Sequence, residues 1–389
     1  MTRRRGRQTM QTCPPQLVQL VTLSTSLLLL LVLGVTPARG ICPPRCECDD
    51  ATLLASCEAA SLEVLPIQLN PEVEVMRLSG NRIAHLDYSM GFYTRLRTLD
   101  VSGNRLQSLG PSTFQAQHRL IELNVSNNEV TTLASEAFTG LTSLRVLDLS
   151  GNRLQATVGE TGGVWRGLDS LWELDLSRNN LDACLAQLSS LRHLGLADNL
   201  MALVSPDSFP SALRDLISLH LQGNQIASIA PNSFTNLSSL QILDLSDNNL
   251  TVVPSAALAK LSTTLMELDL SGNPIVHIGP VAFQSLFELR RLRLSRLTEL
   301  LRVDQRAFVD NIRLEETELE LCPQLKRIPP RLFHGNPLMT RVTLRGNALQ
   351  TLNSGDLPLG QLRYLALADN PLRCNCSLLW LWKLARDAA

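Results

Sequence analysis

The chain has 389 residues, 44% hydrophobic but only 4% aromatic, so it has the length for a large core and the composition for an aliphatic one. Its formal net charge is −1, with no strongly basic or acidic block in the body. That argues against nucleic acid or a bare lipid surface as the main partner.

In chain order, Arg3, Arg4 and Arg5 precede an apolar run from Leu27 to Val35, followed by the small residues Ala38 and Gly40. This pattern reads as a secretory signal over residues 1–40, cut before Ile41. A membrane anchor is the competing reading, but the run is well short of the roughly 20 residues a spanning helix needs. Cys13 leaves with the signal. Four of the remaining cysteines, Cys42, Cys46, Cys48 and Cys57, crowd the new amino terminus in a cap over 41–72. In a secreted chain this is a disulfide framework, and spacing alone leaves three pairings open. The spacing suits no common zinc site.

From residue 73 to 370 the pattern L-x-x-L-x-L-x-x-N recurs. Its closing residue is Asn81, Asn104, Asn128, Asn152, Asn179, Asn199, Asn224, Asn248, Asn273, Asn347 and Asn370. Leu297 and Cys322 hold that place in two more copies, which makes thirteen repeats at a period of about 24 residues, within the leucine-rich-repeat range. The expected fold is an α/β solenoid, a curved horseshoe of about 13 repeats with a parallel sheet on its concave face. In L-x-L both leucines project to one side of a strand, and neither can be buried until successive coils stack. The Asn carries donors and an acceptor for backbone groups where the chain turns inside the stack. Cys322 retains weak polar capacity and Leu297 none, so irregularity is expected at the tenth repeat.

Phe114, Phe138, Phe209, Phe234, Phe283, Phe308 and Phe333 recur on the return side and predict an aromatic spine. Two coils break period around "TVGETGG", which reads as a bulged return loop. Cys184 takes a core leucine's place and reads as a buried thiol. Residues 371–389 begin a second cysteine cap with Cys374 and Cys376, whose partners are missing; the cap reads as truncated.

The C-P-x2-C-x-C cap, thirteen Phe-spine repeats and "NPLRCNC" resemble extracellular leucine-rich-repeat proteins with cysteine flanks. Within that group, "LEVLPIQLNPEVEVMRLSGNRI", "GFYTRLRTLDVSGN" and "LRLSRLTELLRVDQRAF" are similar to the insect tartan/capricious cell-surface proteins. The resemblance implies a single-pass membrane protein whose ectodomain mediates recognition and adhesion in development. It also implies the pairs Cys42–Cys48 and Cys46–Cys57. Any anchor would come from a segment beyond Ala389.

Thirteen strands about 4.8 Å apart span roughly 58 Å, a surface for a protein and not a metabolite pocket. The middle outward position holds Asp100, Asp148, Asp175, Asp244 and Asp269, which reads as a solvated stripe. His193 and His220 also face outward. The carboxy-terminal third is more pointed. Arg290, Arg291, Arg293 and Arg296 lie beside Glu315, Glu316 and Glu318, then Arg341 and Arg345. These either neutralise one another or form a charged recognition patch. Asn124, Asn236 and Asn249 head glycosylation sequons; a glycan on Asn124 would stand on the concave side, and Asn236 is the favoured acceptor.

No hydrolase, metalloprotease or nucleotide-binding motif is present, and no cofactor or metal ligand set is read. The expected function is cell-surface recognition or adhesion through an extracellular or cell-surface protein partner, with like-with-like pairing left open. A secreted matrix or decoy protein and an innate-immune receptor ectodomain are the alternatives.

Overall fold

The computed structural model describes residues 40–86, 88–155, 163–182 and 188–387. The expected leader over 1–40, the TVGETGG loop and Cys184 lie outside them, apart from Gly40 and Gly163.

One 15-stranded sheet carries the architecture. Glu47–Asp49 and Leu54–Ser56 pair antiparallel, and the second of these pairs parallel with Val75–Arg77. From there thirteen parallel strands, one per repeat, follow in sequence order to Tyr364–Ala366. Coils 1 to 13 are numbered by these strands. Register is kept from coil to coil, as in Leu99↔Leu123 and Leu123↔Leu147, so every central residue meets its counterpart on the inner face.

The core is one continuous cluster along the stack. All seven spine phenylalanines are buried, and Trp165 extends the spine by stacking on Phe138 at 5.8 Å. Neighbouring spine rings in coils 9 to 11 lie 5.7 Å apart. Strands in a sheet are about 4.8 Å apart, so the return side is the wider one and the stack curves toward the sheet. Those return segments are mostly turns and short strands. The α-helices among the described residues are Ser255–Leu258 and Leu379–Asp387.

The Asn ladder performs the expected role. Asn128 donates from Nδ2 to the carbonyls of Val101 in the preceding coil (3.0 Å) and Val125 in its own, while its Oδ1 accepts from the Leu106 amide. Ten ladder asparagines donate to a carbonyl of the coil before, and Asn81 in the first coil donates to the Cys57 carbonyl of the cap. The residue just before each ladder position has positive φ in all thirteen coils. Glycine supplies it six times and Asn or Asp four times, the residues that tolerate this conformation; Arg178, Arg296 and Leu321 adopt it regardless.

The expected irregularity at coil 10 is not seen in the sheet. Arg291–Arg293 pairs in register on both sides, and Leu297 is fully buried. A core leucine packs where the rung would sit, and the turn at Arg296 keeps its left-handed geometry. Cys322 does act as a weak rung, its Sγ 3.6 Å from the Leu294 carbonyl. Burial pushes its thiol up to about 11, so it stays protonated.

A second amide ladder on the return side went unread in the sequence. Asn311 donates to Phe283 and Leu286, and Asn336 to Phe308 and Asn311. At the amino-terminal end the disulfides are Cys42–Cys48 and Cys46–Cys57, the pairs implied by the resemblance. Cys374 and Cys376 are exposed free thiols, followed by the helix Leu379–Asp387 with Trp382 and Leu384 on its surface.

Candidate functional site

Each strand presents its first and third residues to the concave side and its second to the core. From coil 2 to coil 9 those outward positions carry eight carboxylates and no lysine or arginine. The five aspartates and Asn124 share one structural task. Each accepts, through Oδ1, the amide of the serine two residues on, at 2.8–2.9 Å. This turn capping explains the D in "LDLS" and leaves the second carboxylate oxygen facing the concave space. Glu122 and Glu173 have no such role. Among the described residues, Glu122, Asp148, Glu173, Asp175 and Asp244 take part in no ion pair.

The carboxy-terminal charges are arranged differently. Arg291 is held between Glu267 and Glu316, and Arg293 between Asp269 at 3.9 Å and Glu318 at 3.6 Å. Arg290 reaches Glu315 at 3.7 Å, and Arg345 reaches Asp369 at 3.5 Å. Arg341 lies over the Tyr364 ring, 4.0 Å from its centroid. Arg296 makes a two-pronged bond to Asp247, 2.9 and 3.0 Å, across the intervening coil. That bond raises the Arg296 pKa further, while burial raises the Asp269 carboxyl above its usual value against the pull of Ser271 and Arg293. The structure thus brings all nine residues of the sequence-predicted patch onto coils 10 to 12 and engages each within the chain.

The centre of the wall holds a feature the sequence did not flag. In coil 6 the capping aspartate is replaced by Gly195, whose backbone is ordinary strand. Glu173, Asp175, His193, Ser218 and His220 surround it in a hollow of about 230 Å³. Trp172 stands exposed at its edge, with Arg192 over its ring at 5.7 Å. A Trp in a column otherwise filled mainly by Arg and Ile, and a Gly in the aspartate slot, were the available signals. His193 Nδ1 lies 2.8 Å from Ser218 Oγ, but Ser218 is only 4% exposed, which denies this pair the access a nucleophile needs.

Among the sequons, Asn124 is on the concave strand with its Oδ1 used in the turn. Asn249 is exposed. Asn236 is half-buried and donates from Nδ2 to the Phe209 carbonyl at 2.9 Å, so it sits less freely than its loop position suggests.

Family comparison finds "Leucine rich repeat" over residues 94–154 and 214–263, and a further match over 264–286. The chain is 34% identical over 112 residues to the oligodendrocyte-myelin glycoprotein of Homo sapiens, covering 28% of this chain and 25% of that protein. It is 30% identical over 129 residues to Tsukushi of Rattus norvegicus, covering 30% and 36%. The chain therefore spans about a quarter to a third of these relatives. Among solved structures, the Toll–Spatzle complex, described as a hub in Drosophila development and innate immunity, matches with TM-score 0.66 and 20% identity over 84% of this chain and 52% of that one. Repeat, sheet, ladder and matches together show a solenoid built from leucine-rich repeats with amino-terminal disulfides, similar to leucine-rich-repeat proteins of the cell surface.

Proposed function

We propose that the chain is a recognition and adhesion ectodomain that binds an extracellular protein through its concave face. The observation that carries this is the wall itself: thirteen in-register strands whose carboxylates over coils 3 to 5 and at coil 8 form no ion pair among the described residues. Ionised groups left without partners on a broad surface are complementary to a macromolecule of opposite charge. The printed names of the relatives support an extracellular setting, and the solved Toll–Spatzle pair supports a protein as the class of partner. The likeness to tartan/capricious proteins supports adhesion, export by a leader over 1–40, a membrane anchor and a role in development. Division into a cap over 41–72, repeats over 73–370 and a second cap from 371, glycans at Asn124, Asn236 and Asn249, and binding in place of catalysis belong to the same reading; a glycan on Asn124 would cover the wall at coil 3 and push the usable interface toward the later coils. Among the described residues no helix is long and apolar enough to cross a membrane.

A secreted matrix or decoy protein is the second reading, favoured by the same wall. Beads coated with the secreted chain, mixed with coated and uncoated cells, test the proposal. Selective clustering is the expected result, and clusters of coated particles alone would mean like-with-like pairing. Absence of clustering with every cell type tried would remove adhesion.

A further inference from the structure

Resting on the concave-face reading, we infer that the hollow at Gly195 is the anchor point of that interface and takes one positively charged side chain, arginine by preference, from a loop of the partner protein. Glycine inside a strand costs stability and marks places where a ligand or another backbone comes close. Here the backbone does not require it, because Gly195 has no positive φ. Its effect is spatial. A Cβ at this position would lie 2.5 Å from Asp175 Oδ1, so the missing side chain is what lets that carboxylate lean over the floor of the hollow. Asp175 spends Oδ1 on the Ser177 amide and keeps Oδ2 for an incoming donor. Glu173 adds a second carboxylate on the same rim.

The chemistry on the rim selects the occupant. Two carboxylates without an ion-pair partner favour a cation, and a guanidinium can bond a carboxylate through two N–H groups at once. Trp172, 44% exposed, stands beside the hollow with its ring 6.3 Å from that of His193, and the part of the ring that Arg192 does not cover offers apolar contact for the aliphatic stem of such a side chain. Large aromatics beside a pocket are the usual anchors of protein interfaces.

The test uses the chain made in a host that adds no N-linked glycans, because Asp175→Asn and Asp100→Asn each create an Asn-x-Ser sequon. Two capped peptides, Gly-Arg-Gly-Arg-Gly and its Glu counterpart, are titrated with Trp172 fluorescence as readout and Trp172→Phe as the signal control. Saturable binding of the Arg peptide alone is expected. Gly195→Leu, which fills the hollow without changing charge, and Asp175→Asn, which keeps the turn cap as Asn124 does, should each weaken it at least about ten-fold. Asp100→Asn, on the same wall but four coils away, should leave it within about two-fold. Equal binding by all variants would overturn the inference in favour of a general acidic field, and so would absence of saturation. Cell clustering that persists in Gly195→Leu and Asp175→Asn would also overturn it while leaving the concave-face reading intact. Failure of wild-type clustering would instead remove that reading.

Discussion

Coils 3 to 8 and coils 10 to 12 are built from one repeat yet use their polar residues in opposite ways. In the central coils every rung is asparagine, the backbone is satisfied inside the stack, and the concave carboxylates are left unpaired. In the later coils the rung is lost at Leu297 and weakened at Cys322, and there the concave charges reach across to adjacent strands. Arg296 stands directly before Leu297 and grips Asp247 two coils back. The density of charge on a surface is therefore a poor guide to its availability. The more heavily charged region is tied up holding neighbouring coils together, and the quieter region is open.

The largest expected effect separates the rungs of the two regions. Asn248→Ala removes donors to Leu221 and Leu245 and the acceptor for the Ile226 amide, leaving buried backbone groups unpaired. A loss of about 3 kcal/mol in denaturant unfolding is expected, because each orphaned group costs about 1–3 kcal/mol. Cys322→Ala should cost only about 1 kcal/mol, since a weak sulfur contact and a small volume are lost. Equal losses would mean that the rung matters no more in one region than in the other.

Reversing Arg291 and Arg293 to Glu comes next. It breaks four cross-strand pairs and sets like charges side by side, for an expected loss of about 2 kcal/mol that shrinks at high salt. Glu173→Gln in the open region should change stability by less than about 0.5 kcal/mol while weakening adhesion in the bead assay.

The smallest effect is a pH response. Asp269 titrates above the ordinary 3.8 because burial disfavours its charge. The native chain then holds this proton more readily than the unfolded chain, so the group's contribution falls as pH rises from about 3.8 through its folded-state value. Asp269→Asn, made without N-linked glycans because it creates an Asn-Leu-Ser sequon, keeps the turn cap, should flatten that slope, and should raise the melting temperature slightly at pH 7. A lower melting temperature would show that the Arg293 contact outweighs the burial cost.

Much of the fold was legible because the repeat states its own physics. Leu-x-Leu fixes which face is core, Asn fixes the turn, and Phe fixes the return side. What escaped had no periodic signature. The return-side ladder uses Asn311 and Asn336 at a position that holds Gln117 in coil 2, where it also donates to the preceding coil, and leucine or alanine in most others, so no period announced it. The pairing of Arg291 and Arg293 with the glutamates of the next strand was one of the two readings the sequence offered, whereas their pairing back to Glu267 and Asp269 about 24 residues earlier was not read. The hollow depends on an absent side chain at Gly195, which becomes meaningful only once Asp175 is seen leaning into it. Cys322, by contrast, was readable as a weak rung from its place in the pattern alone.

A glycan wedge on the concave wall tests the central claim most directly. Ile242→Asn with Asp244→Ser creates a sequon on the strand of coil 8, beside the open carboxylates. Occupancy would be confirmed by mass, and clustering of coated beads with cells compared with that of a chain glycosylated on a return loop. Abolished clustering for the concave glycan and normal clustering for the return-loop glycan is the expected result. Clustering that survives a fully occupied concave glycan would contradict the account.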